Sequence, residues 1–124
     1  MFSIIIPTYN NLPYLKLCLN SIDKNSKNKH EIIIHINEGS DGTLEYIKSN
    51  KLIFTYSKIN IGLCSAINLA SNKATKNFIL YAHDDMYFCP NWDIALIKEV
   101  EKLNDNKFYL SGTMIEPNSG HITF

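Results

Sequence analysis

An α/β fold with a mostly parallel sheet flanked by helices is predicted by three features of the chain. Short β-branched apolar runs alternate with stretches whose apolar residues recur at helical spacing. The strand-like runs are nearly continuous in Ile, Leu and Phe, the pattern of strands buried on both faces. Turn-forming and acidic residues fall just after these runs, as expected where strands end and crossovers begin.

The first strand is predicted over residues 2–6, closed by Pro7, whose missing N–H ends a ladder. Leu12, Leu15, Leu19 and Ile22 then mark a helix over 12–23, with Asn10 or Asn11 as its cap and Pro13 in its first turn. Residues 31–36 repeat the buried-strand pattern with three consecutive Ile, and the stretch Glu38 to Thr43 supplies a glycine-bearing turn. A short helix is expected over 43–49 and a third strand over 52–56. A second long helix follows over 61–72, with Leu63, Ala66, Ile67 and Ala70 inward. The fourth strand covers 78–82. Beyond it, Pro90 can open a helix whose stripe of Trp92, Leu96, Ile97, Val100 and Leu103 runs to Asn104. Residues 108–114 read as a fifth strand.

The 124 residues suit one domain spanning 1–124. Hydrophobic residues at 45% against 19% charged exclude a disordered chain. Net charge is zero and all twelve cationic residues are Lys, so no strongly basic face for nucleic acid is expected, and a bound diphosphate must rely on a metal, Lys or backbone N–H groups. Cys18, Cys64 and Cys89 lie far apart without a CxxC pair and read as reduced core thiols. The amino-terminal apolar run is too short for a signal peptide or a membrane span, so a cytoplasmic location without a transmembrane segment is expected.

Ligands of open parallel sheets bind beyond the carboxyl ends of the strands. Three segments meet there: Pro7-Thr8-Tyr9-Asn10 after the first strand, Asn37-Glu38-Gly39-Ser40 after the second, and His83-Asp84-Asp85 after the fourth. Adjacent carboxylates disfavour each other's charge unless a cation or a hydroxyl-bearing ligand uses them. Side chains of neighbouring strand residues diverge, so the two acids are expected to divide the work, one toward a metal and one toward a ribose hydroxyl. Solvated turn acids are the plainer alternative. Glu38 can accept a base N–H, or be a solvated loop acid. Tyr9 offers an aromatic face, or simply packs over a helix. Asn60 and Gly62 precede the second long helix, where N–H groups can face an anion, although a turn and cap is the commoner role. Trp92 is either an acceptor-side wall or an aromatic anchor. His83 is read as a supporting group, His35 as a satisfied core histidine, and His30 and His121 as surface or terminal residues. No GxSxG, P-loop or GxGxxG motif is present.

Taken in order, these segments resemble the nucleotide-binding half of an inverting glycosyltransferase of family 2, with the Rossmann-like GT-A fold. The likeness rests on Ser3-Ile4-Ile5-Ile6-Pro7-Thr8-Tyr9-Asn10, on the helix from Leu15 to Ile22, and on Glu38-Gly39-Ser40-Asp41-Gly42-Thr43. Asn60-Ile61-Gly62, Ala66, Asn68, Asp84-Asp85 and Pro90 complete it. The resemblance implies that Thr8, Tyr9 and Glu38 hold the base, that Asp84 approaches the ribose, and that Asp85 binds a divalent Mn²⁺ or Mg²⁺. It implies a nucleotide-diphosphate sugar donor, with uridine as the expected base, and a saccharide or lipid-linked acceptor. Three departures stand out: Glu38 replaces a commoner Asp, the following loop is one residue shorter, and His83 takes the position where an Asp-x-Asp motif often begins. The third leaves Asp85 as the principal metal ligand. The family's later acid, which deprotonates the acceptor, is not assigned here; Glu116 is the only late candidate, and the catalytic residue stays unknown. A truncated chain, a natural fragment or a minimal domain remain open readings. The main rival is a noncatalytic donor-binding fragment of the same fold. Sugar-phosphate nucleotidyltransferases lack support because their basic Gly-rich opening loop is missing, and receiver-like domains because no phosphoacceptor Asp and Lys are suitably placed.

Overall fold

The computed structural model describes residues 1–105, 107–115 and 122–123. Strand β1 (Phe2–Tyr9) is followed by α1 (Leu12–Asn25), β2 (Glu31–Asn37), α2 (Thr43–Ser49) and β3 (Ile53–Ser57). Then come α3 (Leu63–Ser71), β4 (Phe78–Tyr81), α4 (Trp92–Glu101) and the short strands β5 (Met114–Ile115) and β6 (Ile122–Thr123). The main sheet has the order β3-β2-β1-β4, and each of its pairings is parallel. The register sets Ile5 beside Ile33 and Tyr81, and Thr8 beside Ile36.

Side-chain alternation along β1 divides the core in two. Ile4 and Ile6 face α1, α2 and α4 with Leu15, Cys18, Ile22, Ile34, Ile36 and Ile47, while Ile5 and Ile33 face α3 through Ala70. Parallel strands need coverage on both faces, which explains why β1 is buried from Phe2 to Thr8 and reads as an unbroken apolar run. The small Ala66 and Ala70 are the fully buried residues of α3, and they let its backbone lie close on the sheet.

Several expectations are corrected by the packing. Pro7 does not close the first strand: β1 runs through it to Tyr9 with Pro7 opposite His35, so the missing N–H costs one ladder bond and does not end the strand. Asn11 occupies the cap position of α1 without a side-chain cap bond; the Leu12 N–H is instead accepted by Asp41 Oδ2 at 2.9 Å, a cap supplied from the loop after β2. Helix α3 starts at Leu63 rather than 61, because Gly62 sits at φ 80°, outside helical space. Leu63 itself is exposed rather than inward. Only Cys18 is a core thiol; Cys64 and Cys89 are exposed. The fifth strand predicted over 108–114 is not a strand through 113: Phe108 packs on Phe78 at 5.5 Å between ring centroids, and Tyr109 is exposed. Met114 and Ile115 pair antiparallel with Thr123 and Ile122, apart from the main sheet. Apolar composition announced a β-prone run there but carried no information on which partner would supply its ladder.

Trp92 is the anchor of α4, its indole N–H donating to Ser26 Oγ at 3.0 Å amid Phe2, His30 and Phe88. His30 is no surface residue, for its side chain is buried beside Asp93. Its Nδ1 accepts the Phe2 N–H and its Nε2–H donates to Asp93 Oδ2, both at 3.2 Å, which is the pattern of a neutral ring. The fully buried Asp93 carboxylate also accepts the Lys27 and Asn28 N–H groups and the Asn28 amide. Burial alone would raise its pKa, but these donors outweigh it and hold the carboxyl down at about 2. Burial lowers the pKa of both His30 and His35.

These directions set the acid response. Stability is expected to fall first as pH drops through about 6.5, where the unfolded chain takes up protons that the two buried imidazoles refuse. Asp93 then contributes about 2 kcal/mol that is complete above pH 4 and disappears as pH falls toward 2. Urea midpoints measured from pH 8 to 2 should show both limbs. Asp93→Asn should be less stable at pH 7 with a flatter lower limb, and a lower limb as steep as the parent's would refute this account.

Candidate functional site

At the carboxyl edge of the sheet an open cleft of about 360 Å³ lies between the ends of β1, β2 and β4 and the start of α3. Pro7, Thr8, Tyr9, Asp84, Asn60 and Gly62 all line it. Six of the sequence-predicted residues are thus brought together. Parallel strand direction is the cause, since it carries every strand end to one edge.

The two acids separate, although they lie in a turn beyond β4 and not in the strand itself. Asp84 turns inward, where its Oδ2 accepts the Thr8 hydroxyl at 2.6 Å and its Oδ1 the Asn11 amide at 3.1 Å. Asp85 is exposed beside it. His83 is exposed as well, its ring tilted against Tyr81 at 5.0 Å between centroids with Nε2 3.0 Å from the phenol oxygen. Thr8 is buried and Tyr9 half-exposed at the mouth, where its ring face is open to a ligand.

Glu38 lies outside the cleft wall and close to it. Its Oε1 accepts the Ser40 hydroxyl at 3.1 Å, and Ser40 Oγ accepts the Asn10 amide at 3.1 Å, so the β1 and β2 loops are laced together. Since the single Ser40 proton goes to a carboxylate, Asn10 must present its N–H₂ to Ser40, which leaves its buried Oδ1 without a partner among the described residues. Asn60 Oδ1 accepts the Gly62 N–H at 2.9 Å, the turn-and-cap arrangement, yet both residues still line the cleft.

Asn10 and Asn37, placed at this edge by the sequence without a role, also line the cleft, while sequence reasoning missed Asn11 and Leu63 as lining residues. Their signal was present only as proximity to strand ends. Glu116 and His121 lie outside the described residues.

The negative charge of the two acids reaches into the core behind them. Burial, then the charges of Asp84 and Asp85, push the Cys18 thiol up to about 12. It stays protonated and contacts the His83 carbonyl at 3.6 Å, so it offers no nucleophile. Tyr81 is raised for the same reasons in the same order.

Among the described residues no group of three or more His, Cys, Asp and Glu is placed to hold a metal ion. Asp85 is not a lining residue of the cleft; it is an exposed carboxylate next in sequence to the lining Asp84, and a hard divalent cation needs fewer protein ligands when a diphosphate supplies the rest. No helix of the described residues is long and apolar enough to cross a membrane.

Comparison with known proteins gives a consistent picture. The family model described as "Glycosyl transferase family 2" matches residues 3–123. An uncharacterised glycosyltransferase of Rickettsia prowazekii is 36% identical over 111 residues, covering 86% of this chain and 34% of its own. The poly(ribitol-phosphate) beta-N-acetylglucosaminyltransferase TarS of Staphylococcus aureus is 31% identical over 93 residues, 69% of this chain and 16% of that one. The chain therefore spans about a third or less of the length of these two relatives. A crystal structure of TarS in complex with UDP superposes with a TM-score of 0.71 at 26% identity, over 82% of this chain and 32% of that one. A mannosyltransferase of Pyrobaculum calidifontis in complex with GDP-Man and Mn²⁺ superposes at 0.67 over 84% of this chain and 32% of that one; at 24% identity it speaks for the fold alone.

Proposed function

Because the chain belongs to glycosyl transferase family 2 and has the GT-A fold, we propose that its cleft binds a nucleoside-diphosphate sugar, with uridine as the base, for transfer to an acceptor hydroxyl. The observation that carries this reading is the convergence of Thr8, Asn11 and Asp84 at the joint edge of three parallel strands. Pro7, Thr8 and Tyr9 hold the base, with Glu38 accepting its imide N–H. Asp84, already charged and oriented by two donors, accepts a ribose hydroxyl. Asn60 and Gly62 form the wall leading into α3, whose first-turn backbone N–H groups face the diphosphate in place of the absent Arg.

Asp85 is the residue that would hold Mn²⁺ or Mg²⁺, with His83 beside it. A bound ion of that kind supplies Lewis-acid stabilisation to a departing diphosphate. In transfer with inversion the acceptor oxygen forms a bond to the anomeric carbon on the face opposite the diphosphate. The sugar–phosphate bond breaks, its electron pair leaves with the nucleoside diphosphate, and the acceptor proton passes to a base. The acceptor is a saccharide or a lipid-linked sugar. What the chain's own residues contribute is orientation of the donor, and a charged rim that a cation must neutralise.

Calorimetry with UDP, GDP and CDP, each with and without Mn²⁺, tests this directly. UDP should bind best, Mn²⁺ should tighten it at least tenfold, and Asp85→Ala should remove that gain while leaving metal-free binding in place. No nucleotide binding, or a metal gain that survives in Asp85→Ala, would defeat the assignment. Turnover of UDP-linked sugars on a panel of acceptors separates a working transferase from a noncatalytic donor-binding domain.

A further inference from the structure

The cleft wall at residues 59–63 lies outside regular strand, and a file of side-chain hydrogen bonds on the sheet holds it. His35 is fully buried in β2, with Nδ1 2.7 Å from Thr55 Oγ1 and Nε2 3.1 Å from Ser57 Oγ. The parallel register places Thr55 opposite His35 and Ser57 opposite Asn37, so all four share one face. Ser57 Oγ is 2.8 Å from the Ile59 carbonyl and 3.1 Å from Asn37 Oδ1. Asn37 Oδ1 in turn accepts the Ile61 N–H at 2.9 Å.

Proton counting gives the file a direction. Ser57 has one proton, and both the Ile59 carbonyl and Asn37 Oδ1 can only accept it, so its remaining capacity is to accept from His35 Nε2–H. His35 Nδ1 then accepts from Thr55. A neutral imidazole in this one tautomer fits the file: the Ser57 proton is shared between the Ile59 carbonyl and Asn37 Oδ1, and Asn37 Oδ1 also receives the Ile61 N–H. Ile33 and Ile5, on the same sheet face, show that apolar residues suffice for packing there. A polar series is costly in such a place unless each group finds its partner, and this one ends on a backbone N–H of the cleft wall.

We propose that His35, Ser57 and Asn37 are positioning residues that hold the Ile61 N–H, and through it Asn60, Gly62 and Leu63, in the place a nucleoside diphosphate requires. The proposal rests on reading the cleft as the donor site. It assigns affinity to residues behind the wall: neither His35 nor Ser57 lines the cleft, and only Asn37 touches its edge.

The test combines UDP–Mn²⁺ calorimetry with hydrogen exchange of the Ile61 amide in Asn37→Leu, Asn37→Asp and Ser57→Ala, with urea midpoints to confirm folding. Asn37→Leu removes the acceptor and should weaken UDP about tenfold while Ile61 exchanges quickly. Asn37→Asp keeps an oxygen at that position and should recover most of both losses, which a generic packing role does not predict. Ser57→Ala should weaken UDP several-fold with a near-parental midpoint. Folded Asn37→Leu and Ser57→Ala proteins that bind UDP as the parent does would overturn the proposal, as would unchanged Ile61 protection. If the parent chain binds no nucleotide, the donor-site reading falls on its own, and the exchange data still decide whether this file holds the wall.

Discussion

Asp84→Ala is expected to weaken UDP binding on the order of 100-fold, because it deletes a charge-assisted acceptor and unlocks the cleft lining. In the parent protein Asp84 receives the Thr8 hydroxyl and the Asn11 amide, so its oxygens are fixed before any ligand arrives. Truncation leaves the buried Thr8 hydroxyl and the Asn11 amide short of a partner, and folding stability should drop by about 1–2 kcal/mol as well. Asp84→Asn separates the two effects. Its amide oxygen still accepts from Thr8, so stability is largely kept, while loss of the formal charge should cost most of the affinity. Calorimetry on both variants beside their urea midpoints provides the check. Parent-like UDP affinity in a folded Asp84→Ala protein would remove Asp84 from the site.

Gly39→Ala should be the costliest single-methyl change at the site edge, roughly 2–4 kcal/mol. Gly39 sits at φ 70° directly after Glu38 at φ 65°, and an added Cβ would lie 2.7 Å from Ile36 Cγ2 and 3.3 Å from Leu44 Cβ. Ile36 is fully buried in β2 and cannot yield without disturbing the core. Relief would come by moving the turn, which displaces Glu38 and the Ser40 hydroxyl that it accepts. Gly112→Ala is the matched control, since nothing lies within 4 Å of its added Cβ, and it should stay within about 0.5 kcal/mol of the parent. Equal urea midpoints for the two variants would contradict the steric argument. UDP affinity of whatever Gly39→Ala remains folded then reports how far Glu38 has moved.

The parallel core was legible because its cause is local. Ile4, Ile5 and Ile6 in one run, and Ile32, Ile33 and Ile34 in another, are buried-strand patterns at any position in any chain. Gly39 and the acids at 84 and 85 mark strand ends by backbone preference or by charge, and once the sheet is parallel those ends share an edge; Pro7 misplaced one of them, because β1 continues through it to Tyr9. That reasoning reached Thr8, Tyr9 and Asp84 without coordinates. It did not reach Asn11, whose amide was assigned to capping by its place in sequence and goes instead to an acid 73 positions away.

Pattern and motif therefore determined the layering of strands and helices, the edge at which the strand ends meet, and the divergence of two neighbouring carboxylates. Tertiary structure alone decided which carboxylate turns inward, that Asp41 caps a helix begun 29 residues earlier, that His30 is neutral and buried, and that residues 108–113 join no strand. The physical reason is range. Periodicity and turn chemistry act between residues a few positions apart, whereas a hydrogen-bond partner is chosen by register and crossover packing, which bring together groups that no local pattern connects.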